Sequence, residues 1–247
     1  MLNWARDYFE RGYAQRWSLR SPSDQVRQDA VGLWDVMGLA PGARLIDIGC
    51  GHGKYAVALA ERGASVIGLD FSASLLDRAR ALTADLQNPA RWIRGDMRRL
   101  PLQSGSADGA VVVDAFGFFE ADADNDEVLR EAARVLRVGG RLALKVVNGG
   151  LVVDDFRSSE REERDGVVVV ATNALEVNPP RLIQQLHISG VRGSGEYQRR
   201  QRLYRAEDMR AAFERAGLAG VSVFASPDRS PFDPKASPAM WVVGQRL

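Results

Sequence analysis

Residues 45–53 read Leu45-Ile46-Asp47-Ile48-Gly49-Cys50-Gly51-His52-Gly53. An apolar run meets three glycines at alternate positions, and a stretch with helical apolar spacing follows. This pattern describes a buried strand that turns sharply into a helix. Glycine allows the turn and lets the backbone approach a ligand with no Cβ in the way. A dinucleotide fingerprint needs its third glycine one position later, where Lys54 stands, and does not include an acid two residues before the first glycine.

The flanking chain repeats the same alternation. Apolar strands are predicted at 44–49, 65–70, 91–95, 109–115 and 141–147. Helices are predicted at 53–62, 73–87 and 124–138, closed by Gly63, Asn88 and Gly139-Gly140. Such a rhythm predicts a parallel sheet with helices on both faces and a site at the carboxyl ends of its strands. The first forty residues read as two helices that meet at Ser21-Pro22. The charge run Arg157–Asp165 reads as a solvated helix or loop. Strands at 166–177, 181–190 and 195–204 form an antiparallel meander, turned by Asn178-Pro179-Pro180 and by Gly190 to Gly195. A helix at 206–216 and strands at 220–226 and 239–246 finish the chain. The connection 227–238 overhangs the active edge if its strand runs parallel to the others.

Two further acids stand where the glycine loop needs partners. Asp70 ends the second strand, and its carboxylate can accept both hydroxyls of an unphosphorylated ribose. Asp96 closes the third, placed for an exocyclic amine, with Met97 against an aromatic base. Three acids with no phosphate-gripping Lys or Arg point to an adenosine-containing cation.

These residues resemble the class I S-adenosylmethionine-dependent methyltransferases. The resemblance runs through Asp47 to Gly53, Asp70, Gly95-Asp96-Met97 and the segment Arg134 to Leu142, and covers nearly the whole chain. It is greatest to bacterial small-molecule members, through Phe116-Gly117-Phe118-Phe119-Glu120 after the fourth strand and Asp228-Arg229-Ser230-Pro231-Phe232 near the carboxyl end. The resemblance implies a doubly wound, mostly parallel, seven-stranded Rossmann-like sheet with an N-terminal helical lid and an antiparallel β insertion. It implies one domain over 1–247: lid 1–40, cofactor-binding core 41–150, insertion 151–204 on the substrate side, and the end of the core sheet 205–247. The cofactor would be S-adenosyl-L-methionine, leaving as S-adenosyl-L-homocysteine. Its expected contacts are Asp47, Gly49, Cys50, Gly51, Asp70, Phe71, Ser72, Asp96, Met97 and Asp114, although Ser72 is also a good helix cap.

The resemblance implies methyl transfer to an O or N atom of a small-molecule acceptor, and the acceptor side is less constrained. Aromatic rings suit a sulfonium because their faces attract cations. Trp17, Phe116, Phe118, Tyr204 and Phe232 are the wall candidates, and Tyr13 is the preferred group on the lid. An alcohol or phenol acceptor needs a base, for which His187, Glu120 and Asp228 are the candidates, His187 if its face of the meander lines the site. The bland alternatives are a structural strand histidine and core-packing aromatics. Cys50 reads as a small loop residue, His52 as loop-shaping, and no residue cluster has metal-ligand spacing.

The chain carries 33 Lys plus Arg against 32 Asp plus Glu over 247 residues, so its +1 charge draws it neither to nucleic acid nor to an anionic membrane. Arg192, Arg199, Arg200, Arg202 and Arg205 form one basic cluster, which leaves RNA methylation as the alternative. A non-catalytic cofactor-binding domain is the other alternative. One cysteine and an N-terminus without an apolar stretch give a cytoplasmic expectation. The expected partner is a small-molecule acceptor, and the expected state is a monomer or homodimer.

Overall fold

A computed structural model describes residues 3–16, 22–84, 90–191 and 193–247. Trp17, Ser21, Arg192 and the end of the expected 73–87 helix with Asn88 lie outside the described residues. Asn3–Asp7, the π-helical turn Tyr8–Gly12 and Tyr13–Arg16 form one helical segment, here α1. Then follow α2 (Asp24–Met37), β1 (Arg44–Ile48), α3 (Lys54–Glu61), β2 (Ser65–Asp70), α4 (Ala73–Thr83), β3 (Arg91–Arg94), β4 (Ala107–Val113), α5 (Asp122–Val135) and β5 (Leu136–Val147). After α6 (Gly149–Asp154) come β6 (Ser159–Arg164), β7 (Val167–Val177), β8 (Pro180–Gly190) and β9 (Gly193–Arg202). The chain closes with α7 (Ala206–Arg215), β10 (Leu218–Phe224) and β11 (Ala239–Arg246).

Seven strands form the main sheet in the order β10-β11-β5-β4-β1-β2-β3. The first five in sequence are parallel, and β11 runs antiparallel between β5 and β10. Alternation along the strands fills both faces. Ile46, Ile48, Val112 and Leu144 pack among residues of α5 and α7, while Leu45, Val66, Val111 and Ala143 pack toward α2 and α3. The order reverses at β1, between β4 and β2, and that switch point opens the crevice the fold uses.

The glycine loop is sterically locked. Gly53 sits at φ +83°, and a Cβ there would come within 2.3 Å of the Trp92 ring. Overpacking plus a left-handed backbone should make Gly53→Ala destabilising by about 2–4 kcal/mol. Denaturant unfolding would show this as a lower midpoint, whereas an unchanged midpoint would contradict the packing.

Two sequence expectations need correction. Residues 157–165 are not a helix or a featureless loop, because Ser159–Arg164 pairs with β7 as an edge strand. Its charged side chains, including the Arg161–Glu163 pair at 2.8 Å, guard an edge that would otherwise recruit another strand. The helix expected to reach 138 stops at Val135, since buried Leu136 already pairs with Ala107 as the start of β5. The short helix α6 gave no sequence signal beyond its cap, Asn148, whose side chain accepts from Leu151 N.

The four-stranded sheet β6-β7-β8-β9 is the expected meander. Its inner face (Val167, Val169, Ala171, Leu186, Ile188 and Tyr197) packs around Tyr8, with Phe9 and Tyr13 against the same cluster. Helix α1 therefore lies between this sheet and the crevice. Tyr197 Oη donates to Gln15 at 2.8 Å, and Arg16 pairs with Glu162 at 2.9 Å. Arginines join the insertion to the core: Arg181 and Arg202 both reach Asp122, at 2.6 and 3.2 Å, and Arg200 reaches Glu120 at 2.8 Å.

Candidate functional site

A cavity of about 420 Å³ opens at the carboxyl ends of β1 to β4, within the range of small-molecule sites. Its floor is the glycine loop. Gly49 has φ +73°, and a Cβ there would meet Ala115 Cβ at 2.6 Å and Met97 Cε at 3.0 Å. Any larger residue would press into the space that the loop holds open. Asp70 is held rigidly at the rim of this floor. Its Oδ2 accepts from Gly51 N at 2.8 Å and its Oδ1 from Ser72 N at 2.9 Å. Each oxygen keeps a lone pair, so one carboxylate ties the loop and can still receive two hydroxyls.

Eleven of the expected residues line this cavity: Tyr13, Asp47, Gly49, Cys50, Gly51, Asp70, Phe71, Asp96, Met97, Asp114 and Phe118. Asp114 projects from a left-handed backbone at φ 55° and pairs with Lys145 at 3.6 Å.

The other expected residues stand elsewhere. Ser72 is wholly buried and caps α4 through Leu75 N, so it orients Asp70 without reaching the cavity. Phe116 and Tyr204 stack at 5.3 Å in the main core, a correction to their reading as walls. Phe232 packs against that same core. Although β10 runs parallel to β5, the 227–238 connection lies away from the cavity. Its Pro227 abuts Gly32, and its Pro234 and Ser237 carbonyls accept from Asn148. His187 is also corrected, because it faces solvent with its side chain 57% exposed, 3.7 Å from Glu196. The opposite face of its strand is the one that α1 covers. Among the described residues of 151–204 none lines the cavity; the inner face of their sheet packs against α1 instead.

Sequence reasoning missed several lining groups. Ala5 and Phe9 join Tyr13 as a stripe at four-residue spacing. In a regular α-helix that spacing drifts by about 40° per step, a drift that the wide π turn offsets. Phe9 is the hub of the roof, 5.2 Å from Phe118 and 6.0 Å from Phe71. Beside it, the Glu10 carboxylate accepts from Ser72 Oγ at 3.0 Å and Ser74 Oγ at 3.1 Å, fastening α1 to the start of α4.

Lys54 and Arg98 also line the cavity, two cations beside the acids that the sequence singled out. Arg98 grips both oxygens of Asp96, holding that carboxyl below its ordinary range, and reaches Asp124 at 3.1 Å. Its guanidinium lies 4.6 Å from the Phe119 ring centroid. An amine approaching Asp96 therefore meets a carboxylate already bound to Arg98.

The balance stays acidic, with Asp47, Asp70, Asp96, Asp114, Glu120 and Asp124 against Lys54 and Arg98. Burial, then Asp70, pushes the Asp47 carboxyl up to about 7. Burial pulls His52 down to about 4, leaving it neutral, and pushes the Tyr13 phenol and the Cys50 thiol up. None of these buried groups is an activated nucleophile. Among the described residues no cluster of His, Cys, Asp and Glu can hold a metal. No described helix is long and apolar enough to cross a membrane.

Residues 46–144 match a family described as a methyltransferase domain. A 27-O-demethylrifamycin SV methyltransferase of Amycolatopsis mediterranei is 40% identical over 109 residues, 43% of this chain and 39% of that protein. The alignment thus spans about two-fifths of that curated relative. Over nearly full length the fold matches the CcbJ methyltransferase of Streptomyces caelestis, with TM-score 0.81, 20% identity, and 97% and 98% of the two chains covered. It also matches CalS10, an amino pentose methyltransferase of Micromonospora echinaspora, with TM-score 0.65, 21% identity, and 95% and 94% covered.

Proposed function

We propose that this chain, whose residues 46–144 match a methyltransferase-domain family, binds S-adenosylmethionine and transfers its methyl group to a small-molecule acceptor. The observation that carries this reading is the convergence of Gly49, Gly51, Asp70, Met97 and Asp114 on one cavity at the switch point of the sheet. We take the chain as one domain, in which the insertion holds α1 as a roof.

When bound, the cofactor supplies an electrophilic methyl on a sulfonium. Asp70 would receive the ribose hydroxyls, Met97 and Phe71 would pack on the adenine, and the glycine loop with Asp47 and Asp114 would hold the methionyl part. Phe9, Phe118 and Tyr13 give the sulfonium aromatic faces and keep water out. Holding nucleophile, methyl and sulfur in line can contribute about 7–11 kcal/mol in favourable cases, so positioning is the main catalytic contribution.

The acceptor atom in this reading is nitrogen. The Tyr13 phenol holds its proton, His52 is buried in the loop, His187 faces solvent and Asp228 lies outside the cavity lining. Glu120 pairs with Arg200 at 2.8 Å, and buried Asp47 is assigned to the methionyl part, which leaves no free base for a hydroxyl. An amine arriving neutral needs no base. The relatives' names divide, one being a 27-O-demethylrifamycin SV methyltransferase and one an amino pentose methyltransferase, so the choice rests on the groups in the cavity. Mass spectrometry after incubation with S-adenosylmethionine and paired amine and alcohol acceptors should show methylated amines. Methylation of alcohols alone would overturn the nitrogen assignment.

RNA methylation is not favoured, because three of the cluster's arginines are paired with acids and the Nε of Arg199 is buried, while Arg192 lies outside the described residues. Arg200 pairs with Glu120 and Glu176, Arg202 with Asp122, and Arg205 with Asp154. Bulk tRNA should give no gel shift even at low salt, and a salt-sensitive shift would reinstate the RNA reading.

A further inference from the structure

Lys54 is the first residue of α3, immediately after the last loop glycine, and its side chain lines the cavity. The cavity's other cation is fully engaged, since Arg98 pairs with Asp96 and Asp124. Lys145, close by, pairs with Asp114. Among the described residues Lys54 makes no ion pair and no hydrogen bond; its ammonium lies 5.4 Å from the Tyr55 ring centroid. Burial lowers its proton affinity, with the acids Asp114, Asp47 and Asp29 acting the other way from farther off. A half-buried ammonium in a ligand cavity with no counter-charge in contact is costly unless a ligand supplies one.

We propose that Lys54 receives the α-carboxylate of the cofactor's methionyl group. This rests on the reading of the cavity as the S-adenosylmethionine site and adds a polarity to it. With Asp70 fixing the ribose at the end of β2, the methionyl group runs along the glycine loop. That loop ends at Lys54, with Asp47 at its start and Asp114 across it. The acids suit the ligand's ammonium and sulfonium, and Lys54 suits its one anionic group. The pairing is a charge-assisted hydrogen bond in a sheltered site, the stronger class of such bonds. It also accounts for a lysine where a dinucleotide-binding loop would place glycine.

Calorimetric titration with two ligands isolates this contact. S-adenosylhomocysteine carries the carboxylate; 5′-methylthioadenosine keeps the adenosine and the sulfur but lacks the amino-acid part. Lys54→Met should weaken S-adenosylhomocysteine by about ten- to a hundredfold and leave methylthioadenosine within about twofold. Lys54→Arg, which keeps the cation, should retain most of the difference between the two ligands. Equal loss on both ligands, or no loss on S-adenosylhomocysteine, overturns the assignment while leaving the cofactor reading intact. A wild-type protein that binds neither ligand overturns both. Should Lys54→Met fail to fold, as read from its melting curve, Lys54→Gln carries the same comparison.

Discussion

Asp70→Ala is expected to weaken S-adenosylhomocysteine binding by about 100-fold in a calorimetric titration. Hydrogen bonds to a charged acceptor contribute about 1.5–3 kcal/mol each, and two ribose hydroxyls would share this carboxylate. The carboxylate is preorganised, because Gly51 N and Ser72 N fix both of its oxygens before any ligand arrives. The alanine variant therefore loses the ligand contacts and also the tie between β2 and the glycine loop. Asp70→Asn separates these effects: an amide oxygen can keep one backbone contact and accept one hydroxyl, so the loss should be smaller. Full affinity in Asp70→Ala would remove Asp70 from the site.

The second large effect is a pH dependence of stability set by Asp47. Its carboxyl titrates at about 7 in the folded, unliganded protein against 3.8 for the exposed group, mainly through burial and then through Asp70. Folding thus favours the protonated form. Stability from this group is complete below pH 3.8 and is lost as pH rises through about 7, because the unfolded chain releases the proton first. The slope approaches about 1.4 kcal/mol per pH unit within that window, for a total of at most about 4 kcal/mol. Asp47→Asn removes the titration. The stability difference between variant and wild type, measured by denaturant unfolding, should therefore grow in the variant's favour from pH 4 to pH 8. Parallel profiles would show that Asp47 is not buried as described.

The core of the fold was legible because its signals are local. Strand, glycine turn and helix follow one another within residues 44–61, and Asp70, Asp96 and Asp114 stand at strand ends that alternation alone locates. What sequence spacing could not give was which face of an element meets which neighbour. His187 alternates with Leu186 and Ile188 as expected, but α1 covers the leucine side, so the histidine looks outward. Phe116 and Phe118 are two residues apart on either side of a glycine bend, and one enters the core while the other enters the cavity. Phe9 was hidden behind its neighbour Tyr8, because periodicity does not say which of two adjacent aromatics meets the sheet and which the ligand. Arg98 and Lys54 carry no spacing signal that places them in the cavity; the fold turns both inward.

The central claim is that this cavity is an S-adenosylmethionine site, and titrating the wild-type protein with S-adenosylhomocysteine tests it most directly. The predicted result is saturable one-to-one binding that methylthioadenosine competes with and a nicotinamide dinucleotide does not. No heat of binding at high micromolar ligand, or tighter binding of the dinucleotide, would contradict it.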